Sequence, residues 1–162
     1  MTGTSEIRVE RLRQDFRTWD ALLALILRSF AYMHPRIDPP SSALKLTPDT
    51  LAEKASREVV FVATVDGVLA GCAFLAERED HFYLGKVAVD PALQGKGIGG
   101  ALLDAAEAHA LATGKTVIEL QTRVELTENH AFYNHLGFVE TQRTPHPGFD
   151  RPTSVTFRKV LA

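Results

Sequence analysis

Apolar residues recur along this chain first at every second position and then at every third and fourth. Ile7, Val9 and Leu12 alternate with Glu6, Arg8 and Glu10, which predicts a short strand at the edge of a sheet. Trp19, Leu22, Leu23, Ile26, Leu27 and Phe30 then fall on one helical face, predicting an amphipathic helix over 17–32 whose apolar side is core. Pro35, Pro39, Pro40 and Pro48 exclude regular structure over 34–48 and predict a loop. Thr47 before Pro48 reads as the N-cap of a short helix over 48–57.

Two apolar runs, 59–65 and 68–75, are joined by Asp66-Gly67, a two-residue hairpin signal. A charged turn over 77–80 leads to a further strand at 81–89, then to a glycine cluster. Behind it Ile98, Ala101, Leu102, Ala105 and Ala106 share a face, so a helix runs from the glycines to about His109. Gly114 stops that helix and 116–122 is β-branched and apolar, completing a β-α-β unit with two parallel strands and a right-handed crossover. A last helix over 127–136 ends at Gly137, and strands at 138–143 and 153–160 enclose a loop containing Pro145, Pro147, Gly148 and Pro152. The order of elements is that of a single α/β domain spanning 1–162, with no internal repeat.

Apolar content of 45% and charged content of 23% place the chain among soluble globular proteins, and a formal charge of −2 argues against nucleic acid or a membrane surface as partner. Cys72, the only cysteine, lies in an apolar run and reads as a buried structural thiol. Residues 1–13 have no apolar core of signal-peptide length and no stretch is long enough to span a membrane, which predicts a cytoplasmic protein.

The chemistry points to the glycine cluster. Val87-Ala88-Val89-Asp90-Pro91 leads through Gln94-Gly95-Lys96-Gly97-Ile98-Gly99-Gly100 into the helix. The first turn of a helix has amides without intrahelical partners at the positive end of the macrodipole, and glycines there allow close approach, so a phosphate is the natural occupant. A P-loop needs Ser or Thr after its lysine, and Lys96 is followed by Gly97. The dinucleotide fingerprint G-x-G-x-x-G fits at Gly95, Gly97 and Gly100, with Glu119 at about the distance of a ribose-binding carboxylate. Asp90 to Gln94 separate these glycines from their strand, however, and too little chain follows Glu119 to complete that sheet.

The remaining pattern, Q-x-x-G-x-G at Gln94, Gly97 and Gly99, resembles the GNAT superfamily of acyl-CoA-dependent N-acyltransferases. Asn129, Phe132-Tyr133 and Leu136-Gly137-Phe138 resemble its second signature in compact form, with a shorter interval between asparagine and tyrosine than is common in the family. The resemblance implies a GNAT-like fold: a mixed, mostly antiparallel sheet of about seven strands with flanking helices and a β-α-β coenzyme A site. It also implies a coenzyme site made by Val87, Ala88, Val89, Gln94, Gly95, Lys96, Gly97, Ile98, Gly99, Gly100, Asn129, Phe132 and Tyr133. Acetyl-CoA is then the co-substrate, without a metal, and a small-molecule primary amine the acceptor. A homodimer is compatible with this reading.

Amine acetylation requires a neutral nucleophile beside the thioester, polarisation of its carbonyl and a proton for the departing thiolate. Tyr133 is the expected proton donor and the backbone amide of Val89 or a neighbour the expected oxyanion donor. The strand before the glycines has no carboxylate, so the base is open among Glu77, Glu79, His81, Glu125 and water. Tyr32, His34, Glu77, His81 and His146 are candidate acceptor contacts, with selection assigned to the loops over 34–47 and 145–152. His130 and His135, five apart on a helix, point to different faces and suggest no metal site. A peptide or protein N-terminus or lysine as acceptor, a non-catalytic acyl-CoA sensor, and a nicotinamide enzyme are the alternatives.

Overall fold

The computed structural model describes residues 6–161. Its sheet has seven strands: β1 (Ile7–Arg11), β2 (Val59–Val65), β3 (Val68–Glu77), β4 (Phe82–Val89), β5 (Val117–Arg123), β6 (Val139–Thr144) and β7 (Ser154–Val160). Their spatial order is β1-β2-β3-β4-β5-β7-β6. Only β4 and β5 are parallel. The edge position of β1 and the parallel pair follow the sequence reading, whereas the insertion of β7 between β5 and β6 carries no local signal.

Four helices cover the sheet: α1 (Trp19–Phe30), α2 (Pro48–Arg57), α3 (Ile98–Ala112) and α4 (Thr127–His135). One face of the sheet packs on α1 and α2 through Leu22, Leu25, Ile26, Leu51, Val62 and Phe74. The other packs on α3 through Ile98, Leu102, Leu103 and Ala106 against Phe61, Leu75, Phe82, Leu84 and Ile118, with Tyr133 and Leu136 of α4 joining at the margin. Each fully buried Leu, Ile or Phe stabilises this arrangement by about 1.5–3 kcal/mol, so the sheet is held chiefly by its two helical layers.

Local signals account for most boundaries. The Thr47 side chain accepts from the Thr50 amide at 3.1 Å while the Thr50 hydroxyl accepts from the Thr47 amide at 2.8 Å, a reciprocal cap that starts α2 at Pro48. Asp66 and Gly67 both have positive φ, 51° and 82°, as a tight hairpin turn demands. α1 ends at Phe30 and continues as a single 3₁₀ turn over Ala31–Met33. α3 extends three residues past His109 because Ala110 is still buried, and it closes where the Lys115 amide donates to the Ala110 carbonyl at 2.9 Å.

Two irregularities open the sheet where function is to be sought. Register between β3 and β4 shifts between Cys72 and Phe74, leaving Lys86 and Val87 as a bulge, with Lys86 at φ 49°. Pairing of β4 with β5 ends at Leu84–Leu120, so the two strands part beyond it. The remainder of β4 faces a gap.

Candidate active site

The gap between β4 and β5 opens into a cleft with two arms. One, about 450 Å³, is lined by Ser29, Phe30, Tyr32, Met33, Val87, Val89, Leu93, Gln94, Gly95, Gly97, Ile98, Gly99, Gly100, Asn129, Phe132 and Tyr133. The other, about 380 Å³, is lined by Ser42, Lys54, Tyr83, Gly85, Lys86, Leu120, Gln121, Thr122, Arg123, Leu126 and Ser154, among others. Both arms are walled by Phe30, Met33, Val87, Asn129 and Tyr133, so they meet at the tyrosine.

The first arm is built from the turn between β4 and α3. Asp90 caps a short 3₁₀ turn over Pro91–Leu93, its Oδ1 accepting from the Ala92 amide at 3.0 Å while Oδ2 pairs with Arg28 at 3.1 Å. These contacts hold its carboxyl below the usual range, the Ala92 amide being the larger cause. Gly97 follows as the N-cap of α3 at φ 83°, a conformation that favours glycine. Among the described residues, none of the amides of 94–100 donates a hydrogen bond. A Cβ built on Gly95, Gly97 or Gly100 would meet nothing within 4 Å, so these backbones border open space. Phe132 closes the turn from the side, its ring 3.3 Å from where a Cβ on Gly99 would stand. This row of free amides at a helix start fits a pyrophosphate.

At the junction, Tyr133 packs edge-on to Phe132 and Phe138 with ring centroids 5.2 and 5.7 Å away. Burial pushes its phenol above the ordinary pKa, with Tyr32 and Tyr83 adding to the effect, so the hydroxyl keeps its proton. The Tyr32 hydroxyl and the Asn129 side chain lie 3.3 Å apart, joining the end of α1 to α4 across the cleft. The Val89 amide, one of the expected oxyanion donors, donates to Ser29 Oγ at 3.2 Å. Val87 stands in the bulge beyond the last β4–β5 pair and, with Val89, lines the cleft. Ser29 was missed from the sequence, although a serine on an otherwise apolar helix face was a signal to follow.

Most residues expected at the coenzyme site line the first arm; Ala88 instead faces the core under α1, and Lys96 is exposed outside the wall. Of the acceptor candidates, Tyr32 lines the cleft and His34 is exposed beside it. Glu77 pairs with Lys115 at 3.5 Å, and His81 bonds Asp80 at 2.6 Å with Glu119 3.9 Å away, so the structure does not bring either to the cleft. Glu119, the ribose carboxylate of the dinucleotide alternative, also meets Arg158 at 3.6 Å. His146 contacts Thr153 through Nδ1 and stands outside both arms. Glu125 Oε2 accepts from the Asp38 amide at 3.3 Å, fastening the loop over 34–47. His130 Nε2 bonds the Arg123 carbonyl at 2.9 Å, and no cluster of three potential metal ligands occurs among the described residues.

Cys72 is fully buried under α1, its Sγ donating to the Lys86 carbonyl at 3.4 Å, and burial pushes the thiol up to about 12. A thiol so rarely ionised is a poor nucleophile. Cys72→Ala should therefore lower stability by about 1 kcal/mol and leave steady-state turnover close to that of the parent. A hundredfold loss of turnover in the folded variant would assign the thiol a role.

A seven-stranded α/β domain with a parallel pair splayed over free helix-start amides is the architecture of an acyl-CoA-binding transferase. The chain belongs to the acetyltransferase (GNAT) family, whose family model matches residues 19–138. An uncharacterised N-acetyltransferase of Methanocaldococcus jannaschii is 31% identical over 96 residues; the match covers 55% of this chain and only 42% of that protein. Among solved structures, the PaiA N-acetyltransferase of Thermoplasma acidophilum in complex with coenzyme A superposes with a TM-score of 0.78 at 18% identity, covering 96% of this chain and 99% of that one. A GNAT family acetyltransferase of Elizabethkingia anophelis with acetyl-CoA bound gives 0.69 at 17% identity, covering 96% and 98%. These similarities establish the mixed-sheet GNAT fold. No helix among the described residues is long and apolar enough to cross a membrane.

Proposed function

We propose that the protein is an N-acetyltransferase that moves an acetyl group from acetyl-CoA to a primary amine of a small molecule, by direct attack within a ternary complex. The observation that carries this reading is the continuity of the two arms at Val87, Asn129 and Tyr133: a substrate in each arm would meet the other at one point. Acetyl-CoA supplies the acetyl group as a thioester. The amides of 94–100 take its pyrophosphate, and Val87 and Val89 offer backbone along its arm. The amide of Val87 faces the thioester oxygen and stabilises charge developing there. The amine nitrogen bonds to the carbonyl carbon, the carbon–sulfur bond breaks, and Tyr133 gives its proton to the sulfur. No carboxylate lines the second arm, so the amine's proton leaves through water.

The loop over 34–47 supports a small acceptor, because Arg36 pairs with Glu128 at 2.8 Å and Arg123 donates to the Pro39 carbonyl at 2.6 Å, fastening it over the second arm. Two measurements test the proposal. Acetyl-CoA at a hundred times its Kd should stabilise the fold by about 2.7 kcal/mol in a thermal melt while NAD gives no shift. Release of free thiol should then depend on an added amine. Stabilisation by NAD instead, or thiol release indifferent to every amine, would refute it.

A further inference from the structure

Three cations from three elements converge on the second arm: Lys54 from α2, Lys86 from β4 and Arg123 from β5. No aspartate or glutamate is among its wall residues. Lys54 is neutralised by Glu58 at 2.6 Å. The other two are not: Lys86 Nζ donates to the neutral Ser42 hydroxyl at 2.8 Å, and Arg123 donates to the Pro39 and Pro40 carbonyls at 2.6 and 3.1 Å. Among the described residues neither has a carboxylate within 4 Å; Glu58 acts on Lys86, and Glu125 and Asp38 on Arg123, from farther away and from outside the wall, so it is within the wall itself that the positive charge has no counterpart.

Two further observations mark the arm as a place for an anion. Thr122, in the same wall, has a buried Oγ1 with no hydrogen-bond partner, a donor that a bound acceptor oxygen would satisfy. Lys86 is held at φ 49° in the β4 bulge, a conformation that lysine rarely adopts and that persists only where the surroundings impose it. Burial, with Lys54 and Arg123 nearby, lowers the ammonium's pKa against the opposing pull of Glu58.

Resting on the acetyltransferase reading, we infer that the acceptor is an amino acid in the broad sense: a primary amine carrying a carboxylate or phosphate, bound by Lys86 and Arg123 with Thr122 completing the oxygen's contacts. The amine end then lies toward Tyr133, where the arms meet, and the anionic end toward the cations. The same charge also discourages a protonated amine from resting in the arm, which favours the neutral form that attacks. Simple polyamines and lysine side chains without a neighbouring acid are disfavoured on the same ground.

Matched acceptors test this without changing the nucleophile: 4-aminobutanoate against 4-aminobutanamide, and 3-aminopropyl phosphate against 3-aminopropanol, each with saturating acetyl-CoA. At least one acid should exceed its neutral partner in kcat/KM by about tenfold or more, and which acid does so separates carboxylate from phosphate. Lys86→Met should reduce that acid-to-neutral ratio by about tenfold, and Lys86→Arg should retain it. Neutral partners turned over as well as the acids, acetylation of the neutral partners alone, or a ratio unmoved in Lys86→Met would overturn the inference. Binding of acetyl-CoA, measured by calorimetry in the same samples, and turnover of any of the four amines keep these outcomes apart from failure of the acetyltransferase reading, which would show as no binding, or as binding with none of the four acetylated, and would overturn both.

Discussion

Gly97→Val should abolish measurable acetyl-CoA binding, a loss of about a hundredfold or more, in a protein that still folds. Gly97 sits at φ 83° as the N-cap of α3, and a β-branched residue held there costs about 1–3 kcal/mol. Its Cβ would meet nothing within 4 Å, so no core contact is disturbed, and the added methyls occupy the space that the free amides border. Strain and obstruction act together at this position. Gly100 separates them, because its φ is helical and its Cβ likewise meets open space. Gly100→Ala should raise stability by about 1 kcal/mol, since glycine inside a helix is the poorer former, while weakening acetyl-CoA binding. Opposite signs in melting temperature and affinity from one methyl group would place the ligand over α3. Calorimetry showing full affinity in folded Gly97→Val would remove these amides from the site.

The parts of the structure legible in the sequence are those governed by neighbours along the chain. Asp66-Gly67 fixes its hairpin, Thr47-Pro48 starts its helix, and the glycines before Ile98 mark a helix start with free amides, each through a preference spanning four residues or fewer. What depends on distant pairing was not legible. No local pattern says that β7 lies between β5 and β6, or that β4 and β5 separate after Leu84 and so create the cleft. The acceptor side suffers most from this. Glu77 and His81 are of the right chemical type but their partners are Lys115, Asp80 and Glu119, at a distance from the cleft. Lys54, Lys86 and Arg123 carry no local pattern that relates them, and only the topology brings α2, β4 and β5 to one arm. Ser29 shows the same limit, since its partner Val89 is 60 residues away.

Tyr133→Phe should slow the chemical step by roughly ten- to ten-thousandfold while acetyl-CoA affinity stays nearly constant. The ring makes its packing contacts with Phe132, Phe138 and Phe157, all retained by phenylalanine, so only the hydroxyl is lost. Burial raises the phenol's pKa above its usual value, which has two consequences. The donor is fully protonated across the working range of pH, so its loss should not introduce a new titration below pH 9. It is also a weaker acid than free tyrosine, and it is effective only toward a strongly basic leaving group such as an alkyl thiolate formed in the same desolvated junction. The penalty of Tyr133→Phe should accordingly shrink with an acetyl thioester whose thiol has a lower pKa, because that thiolate departs without a proton. A tyrosine that merely packs would slow both thioesters equally or neither. The decisive measurement is the single-turnover rate under conditions where chemistry limits. Equality of variant and parent there would leave water as the acid, and an equal loss with both thioesters would make Tyr133 a residue that shapes the junction without giving up its proton.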